Sequence, residues 1–90
     1  MMSDINTFAN GNMQGQKLEK EGKTDLAIEE YEKLIKLKAD TPFTYRRLAT
    51  IYKKRKQSDN ERRVVEAALV NVPKSNNVHY PWFVNRLKKL

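Results

Sequence analysis

Thr41 and Pro42 stand directly before a helical hydrophobic stripe, and no other junction constrains the fold of this chain so tightly. Threonine at an N-cap can accept from a free backbone N–H of the first turn, and proline is tolerated at the first helical position because the missing N–H has no partner there anyway. Tyr45, Leu48, Ala49 and Tyr52 then recur at i, i+3, i+4 and i+7, the stripe of a 3.6-residue period and not the alternation of a strand. Ser58 precedes Glu61 by the spacing of a capping box, which predicts the start of a second helix. Val64, Val65, Ala68, Leu69 and Val72 give that helix its apolar side, and Pro73 closes it. Residues 41–73 therefore read as a helical hairpin.

The same signals recur upstream. A weakly patterned helix is predicted over 13–21, with Met13 and Leu18 apolar and Gly15 small enough for a close helix crossing. Gly22 suits a left-handed C′ position. Thr24 is expected to cap a second helix over 25–38, whose apolar side runs through Leu26, Ala27, Ile28, Tyr31, Leu34, Ile35 and Leu37. Its acids lie early and its lysines late, the order that the helix dipole favours. After Pro73 a loop leads to Pro81, which starts a short helix carrying Trp82, Phe83, Leu87 and Leu90. Residues 1–12 are polar and read as a flexible leader. The expectation is an all-α domain over 13–90, of about five helices in antiparallel hairpins, near the size at which one core is only just sufficient.

Tyr45-x2-Leu48-Ala49-x2-Tyr52 resembles the first-helix signature of the tetratricopeptide repeat, and Ala27-x3-Tyr31 resembles its second-helix signature. A 34-residue shift brings Tyr31 onto Val65, Leu34 onto Ala68, Ile35 onto Leu69 and Gly15 onto Ala49. Two repeats, roughly 8–41 and 42–75, would then be sealed by a terminal capping helix over about 81–89. Departures from the pattern are Glu61 for a small residue, Gln14 for leucine and Lys56 for the turn glycine. The resemblance implies a superhelix whose first helices line a concave binding groove. Residue by residue, that groove would take Phe43, Arg46, Thr50, Lys53 and Lys54 from the second repeat. Asn12, Gln16, Glu19 and Lys20 would come from the first. Of the clamp that some members use for C-terminal carboxylates, only Asn12 is matched, so no such clamp is expected.

Charge narrows the partner. Residues 1–40 carry six Lys against eight acids, a net of −2, whereas residues 41–90 carry twelve Lys or Arg against three acids, a net of +9. A basic half suits anionic partners, and it equally describes a solvated helical surface. Catalysis and metal binding are not expected, because His79 is the only histidine, Cys is absent and the acids are scattered without ligand spacing. No cofactor-binding motif is present. Nothing resembles a signal peptide or a membrane span, which predicts a cytoplasmic protein.

The reading that best fits these features is a non-enzymatic interaction module holding an acidic or amphipathic protein segment in the groove. Two alternatives stay open. Arg46, Arg47, Lys53, Lys54, Arg55, Lys56, Arg62 and Arg63 could engage nucleic-acid phosphates, or the domain could be structural and self-associating, since two repeats are fewer than the usual three.

Overall fold

The computed structural model describes the backbone of residues 4–90 and the side chains of residues 7–90. Five helices follow in order: α1 (Asp4–Lys20), α2 (Thr24–Lys36), α3 (Pro42–Lys54), α4 (Ser58–Asn71) and α5 (His79–Lys88). No strand occurs among the described residues. Each helix packs on the one before it. Helices α1 and α2 run antiparallel, since Gly15 faces Tyr31 while Gly11, one turn earlier, faces Leu34, one turn later.

Three of the four chain reversals use one device. At Gly22, Lys38 and Lys56 the backbone is left-handed, with φ of 77°, 59° and 60°. In each case the next N–H reaches back to the carbonyl five residues earlier: Lys23 to Leu18 at 2.8 Å, Ala39 to Leu34 at 3.1 Å and Gln57 to Tyr52 at 2.9 Å. These are Schellman turns, which satisfy the orphan carbonyls of a helix end and reverse the chain within a few residues. Lys56, the residue standing where the repeat pattern expects glycine, adopts the glycine conformation itself. Lys38 does the same, at the steric cost any Cβ incurs there.

The core is one cluster. Tyr31, Tyr45, Leu48, Val64, Val65 and Phe83 are fully buried, with Leu18, Ala27, Ala49, Tyr52 and Ala68 around them. Ile35 and Leu69, expected in the core, lie at its edge and are partly buried. Leu26 and Leu37, read as part of the α2 stripe, are 48% and 58% exposed. The buried arc of α2 is narrower than its apolar arc, because α1 and α3 cover only the Ala27, Tyr31 and Leu34 side.

Four local expectations are corrected. Helix α1 begins at Asp4, not near Met13, so residues 4–12 are helical; residues 1–3 of the expected leader lie outside the described residues. What holds this polar turn is tertiary. Gly11 lets Leu34 approach, and Asn12 is tied to α3. Second, Thr41 occupies the N-cap of α3, but its hydroxyl makes no cap bond. It accepts from Asn12 Nδ2 at 3.3 Å and lies 2.9 Å from Thr44 Oγ1, which donates to Asn12 Oδ1 at 2.6 Å. Third, Lys23 and not Thr24 stands at the N-cap of α2. Fourth, the capping box of α4 does not form. Gln57 stands at the N-cap, and Glu61 is buried in an ion pair with Arg86 of α5, a stronger claim on the carboxylate than a backbone N–H.

Candidate functional site: a groove and a cleft beside helix α5

Charged side chains knit the hairpins together before any are left for a partner. Tyr31 donates its hydroxyl to Glu19 Oε2 at 2.6 Å, and Arg47 grips the same carboxylate through Nε at 3.2 Å and Nη2 at 2.5 Å. One helix further on, the arrangement repeats. Tyr52 donates to Glu32, whose two oxygens also accept from Arg63 at 3.1 and 2.6 Å. In both triads the carboxylate comes from one helix, the tyrosine from the next and the arginine from the one after that. Burial would raise the Glu19 and Glu32 pKa values, but hydrogen bonds from arginine and tyrosine outweigh it and hold both below the ordinary carboxylate range. The same burial and hydrogen bond push Tyr52 up to about 12. Arg55 adds a bond to Asp25 at 2.7 Å. The basic second half is thus partly a complement to the acidic first half.

Next to the Glu19–Arg47 pair, α1, α3 and the approach to α5 form a groove of about 760 Å³, to whose lining Arg47 itself contributes. Asn12, Met13 and Gln16 line it from α1, Phe43, Arg46 and Thr50 from α3, and Asn76 and His79 from the α5 end. Met13 is 67% and Phe43 37% exposed, so the groove offers apolar surface to solvent. Arg46 is fixed within it. Its guanidinium lies 4.5 Å from the Trp82 ring centroid, and Nη1 is 3.2 Å from His79 Nδ1, a hydrogen bond in which the arginine donates. Trp82 itself is partly buried, edge-on to the fully buried Phe83 with centroids 5.2 Å apart. Phe83 in turn packs edge-on to Tyr45. Helix α5 therefore does two things: Phe83 seals the core, and Trp82 and His79 position a cation in the groove.

A second concavity of about 370 Å³ adjoins the groove and shares Thr50 with it. Lys53 lies on one side, Asn85 and Lys89 on the other, with Trp82 and the Glu61–Arg86 pair completing the lining.

Of the residues expected in the groove, Asn12, Gln16, Phe43, Arg46 and Thr50 line this concavity. Lys53 belongs to the adjoining cleft. Lys20 and Lys54 line neither. Glu19 is engaged by Tyr31 and Arg47, and the Asn12 amide is largely committed to Thr41 and Thr44. Sequence reasoning missed the α5 contribution. Its signal was present, since Trp82, Asn85, Arg86 and Lys89 recur at i, i+3, i+4 and i+7. Met13, one of the two apolar residues expected in the first helix, is exposed and lines the groove.

Among the described residues no group of three or more His, Asp or Glu side chains is placed to hold a metal ion, and no helix is long and apolar enough to cross a membrane. Comparison with protein-family models, with curated proteins and with solved structures finds no match to this chain.

Proposed function

We propose that this domain is a non-enzymatic, tetratricopeptide-like interaction module that holds an acidic, amphipathic protein segment in the groove between α1, α3 and α5. The observation that carries the reading is Arg46. It sits between exposed apolar surface from Met13 and Phe43, held on the face of Trp82 and bonded to His79. A cation restrained in this way loses little side-chain entropy on meeting a carboxylate, which is the condition for a useful charged contact. The groove volume suits one or two bulky side chains of a ligand. Support for the repeat-like architecture comes from the consecutive hairpins, the recurring left-handed turns and the close crossing at Gly15.

Nucleic acid is the weaker reading, because Arg47, Arg55 and Arg63 are engaged by carboxylates of the same chain. Selecting binders from a random peptide library separates the two. Expected are peptides pairing a bulky apolar residue with acidic ones, weakened about tenfold or more by Arg46→Glu and also by Phe43→Ser. Their affinity should fall moderately with salt. Peptide binders indifferent to both substitutions would refute the groove. Binding of oligonucleotides alone, falling by a factor of about 10³ between 50 and 200 mM salt, would replace it with the phosphate-backbone reading.

A further inference from the structure

The cleft beside the groove has its own chemistry. Arg86 makes its hydrogen bond to Glu61 through Nε, and among the described residues neither of its Nη groups has a partner. A guanidinium fixed through Nε keeps its end-on pair of Nη groups as a planar fork, the geometry that matches two oxygens of one oxyanion. Arg86 is largely shielded from solvent, its side chain 17% exposed and that of its partner Glu61 4% exposed. Lys53 from α3 and Lys89 beyond the end of α5 line the same cleft, and neither makes an ion pair among the described residues. Asn85 adds an amide that makes no hydrogen bond among the described residues and is able to donate.

The charges decide which oxyanion. Arg86, Lys53 and Lys89 bring three positive charges and Glu61 one negative, leaving two positive charges in a cleft of about 370 Å³. A single carboxylate or a phosphodiester carries one negative charge, whereas a phosphomonoester carries close to two above about pH 6 and offers three acceptor oxygens. We infer that this cleft is a binding site for a phosphomonoester dianion, its oxygens forked by the Arg86 Nη groups and flanked by the Lys53 and Lys89 ammonium groups. The group is either free phosphate or a phosphorylated side chain. The inference goes beyond the peptide groove and does not require it, because the two concavities share only Thr50.

Trp82, the one tryptophan of the chain, lines the cleft and reports on it by fluorescence and by its indole N–H resonance. The intact protein is titrated at constant ionic strength with inorganic phosphate and with chloride. A short phosphoserine peptide, its serine counterpart and a short oligonucleotide without terminal phosphate form the other arms. Expected is a saturable Trp82 response to phosphate but not to chloride, lost as the pH falls and the dianion is protonated. Lys53→Ala and Lys89→Ala, both surface changes that leave the fold intact, should each weaken it about tenfold, the loss of one charge-assisted contact. Arg86→Lys keeps a cation opposite Glu61 but removes the fork, and should weaken binding at least as much. A stronger response to the phosphopeptide than to free phosphate identifies the side-chain source, and the reverse identifies the free ion. Equal responses to phosphate and chloride, unchanged binding in both lysine variants, or preference for the oligonucleotide would each overturn the proposal.

Discussion

Arg63 of α4 reaches across α3 to hold both carboxylate oxygens of Glu32 on α2, at 3.1 and 2.6 Å, while Tyr52 of the intervening helix donates to the same group. Non-consecutive helices are thereby bound through a carboxylate. Glu19 does the same for α1 and α3, with Tyr31 between them. The device makes the stack of helices sensitive to the protonation of two side chains.

Acid should therefore loosen the fold in a defined window. Glu19 and Glu32 have folded pKa values below the ordinary carboxylate value of about 4.3, so the unfolded chain takes up protons first as the pH falls. Their stabilisation is full above that value and is lost as the pH falls through the folded values. Urea unfolding between pH 7 and 2.5 should show the midpoint dropping below about pH 4.5, with a shallower drop in the Glu19→Gln, Glu32→Gln double variant. On the alkaline side, Tyr52 ionises near 12 in the folded protein, so stability should decline as the pH rises from about 10 towards that value. Identical acid profiles for the wild type and the double variant would count against the triads.

The two glycines of α1 should respond differently to alanine. A Cβ at Gly15 would lie 2.5 Å from the ring of the fully buried Tyr31, which has no room to move. Gly15→Ala should destabilise by roughly 1–3 kcal/mol. At Gly11 the nearest atom is a Leu34 methyl at 2.7 Å, the end of a flexible side chain that can give way. There the gain in helix propensity, about 1 kcal/mol, offsets the contact, and Gly11→Ala should be near neutral. Thermal denaturation of the two variants decides it, and an equal loss in both would contradict the close crossing at Gly15.

Lys38 and Lys56 occupy backbone positions that suit glycine, with φ of 59° and 60°. Replacing either by glycine should raise stability by up to about 1 kcal/mol, relief of the left-handed strain exceeding the added unfolded-state freedom. Gly22→Ala, at φ 77°, should lower it by a similar amount, although no atom lies within 4 Å of the added Cβ. A fall in melting temperature for both lysine variants would argue against left-handed turns there.

Helix α5 is held by Phe83 in the core and by the buried Glu61–Arg86 pair. Removing one member leaves an uncompensated buried charge, so Arg86→Ala should cost about 3–5 kcal/mol. Glu61→Leu combined with Arg86→Met should recover much of that loss, because apolar replacement of both partners removes the desolvation penalty. Leu48→Ala, deep in α3, should cost about 2–5 kcal/mol and serves as the reference for a core truncation. If the double replacement is no better than Arg86→Ala alone, the pair contributes through something other than charge compensation.

Helix identity, order and number were legible in the sequence because they rest on local periodicity and on residues whose backbone preferences act over three or four positions. The Tyr45–Tyr52 stripe, Pro42 at the first turn and Gly22 at C′ all state their structure within two helical turns. Asn12, Gln16, Phe43, Arg46 and Thr50, singled out by the resemblance to a tetratricopeptide repeat, line one concavity of the structure, whereas Lys20 and Lys54 do not. The remainder depended on distances of 12 to 32 residues along the chain, where no local rule operates. Polar residues 4–12 became helix because Gly11 and Asn12 found partners on α2 and α3. Glu61 left its expected cap for Arg86, and the arginines that looked like a surface for an anionic partner met carboxylates of the first hairpins. A charge in a sequence records only what a side chain can attract. Which opposite charge is close enough to be attracted, and shielded enough from water for it to matter, is fixed only once the helices are stacked.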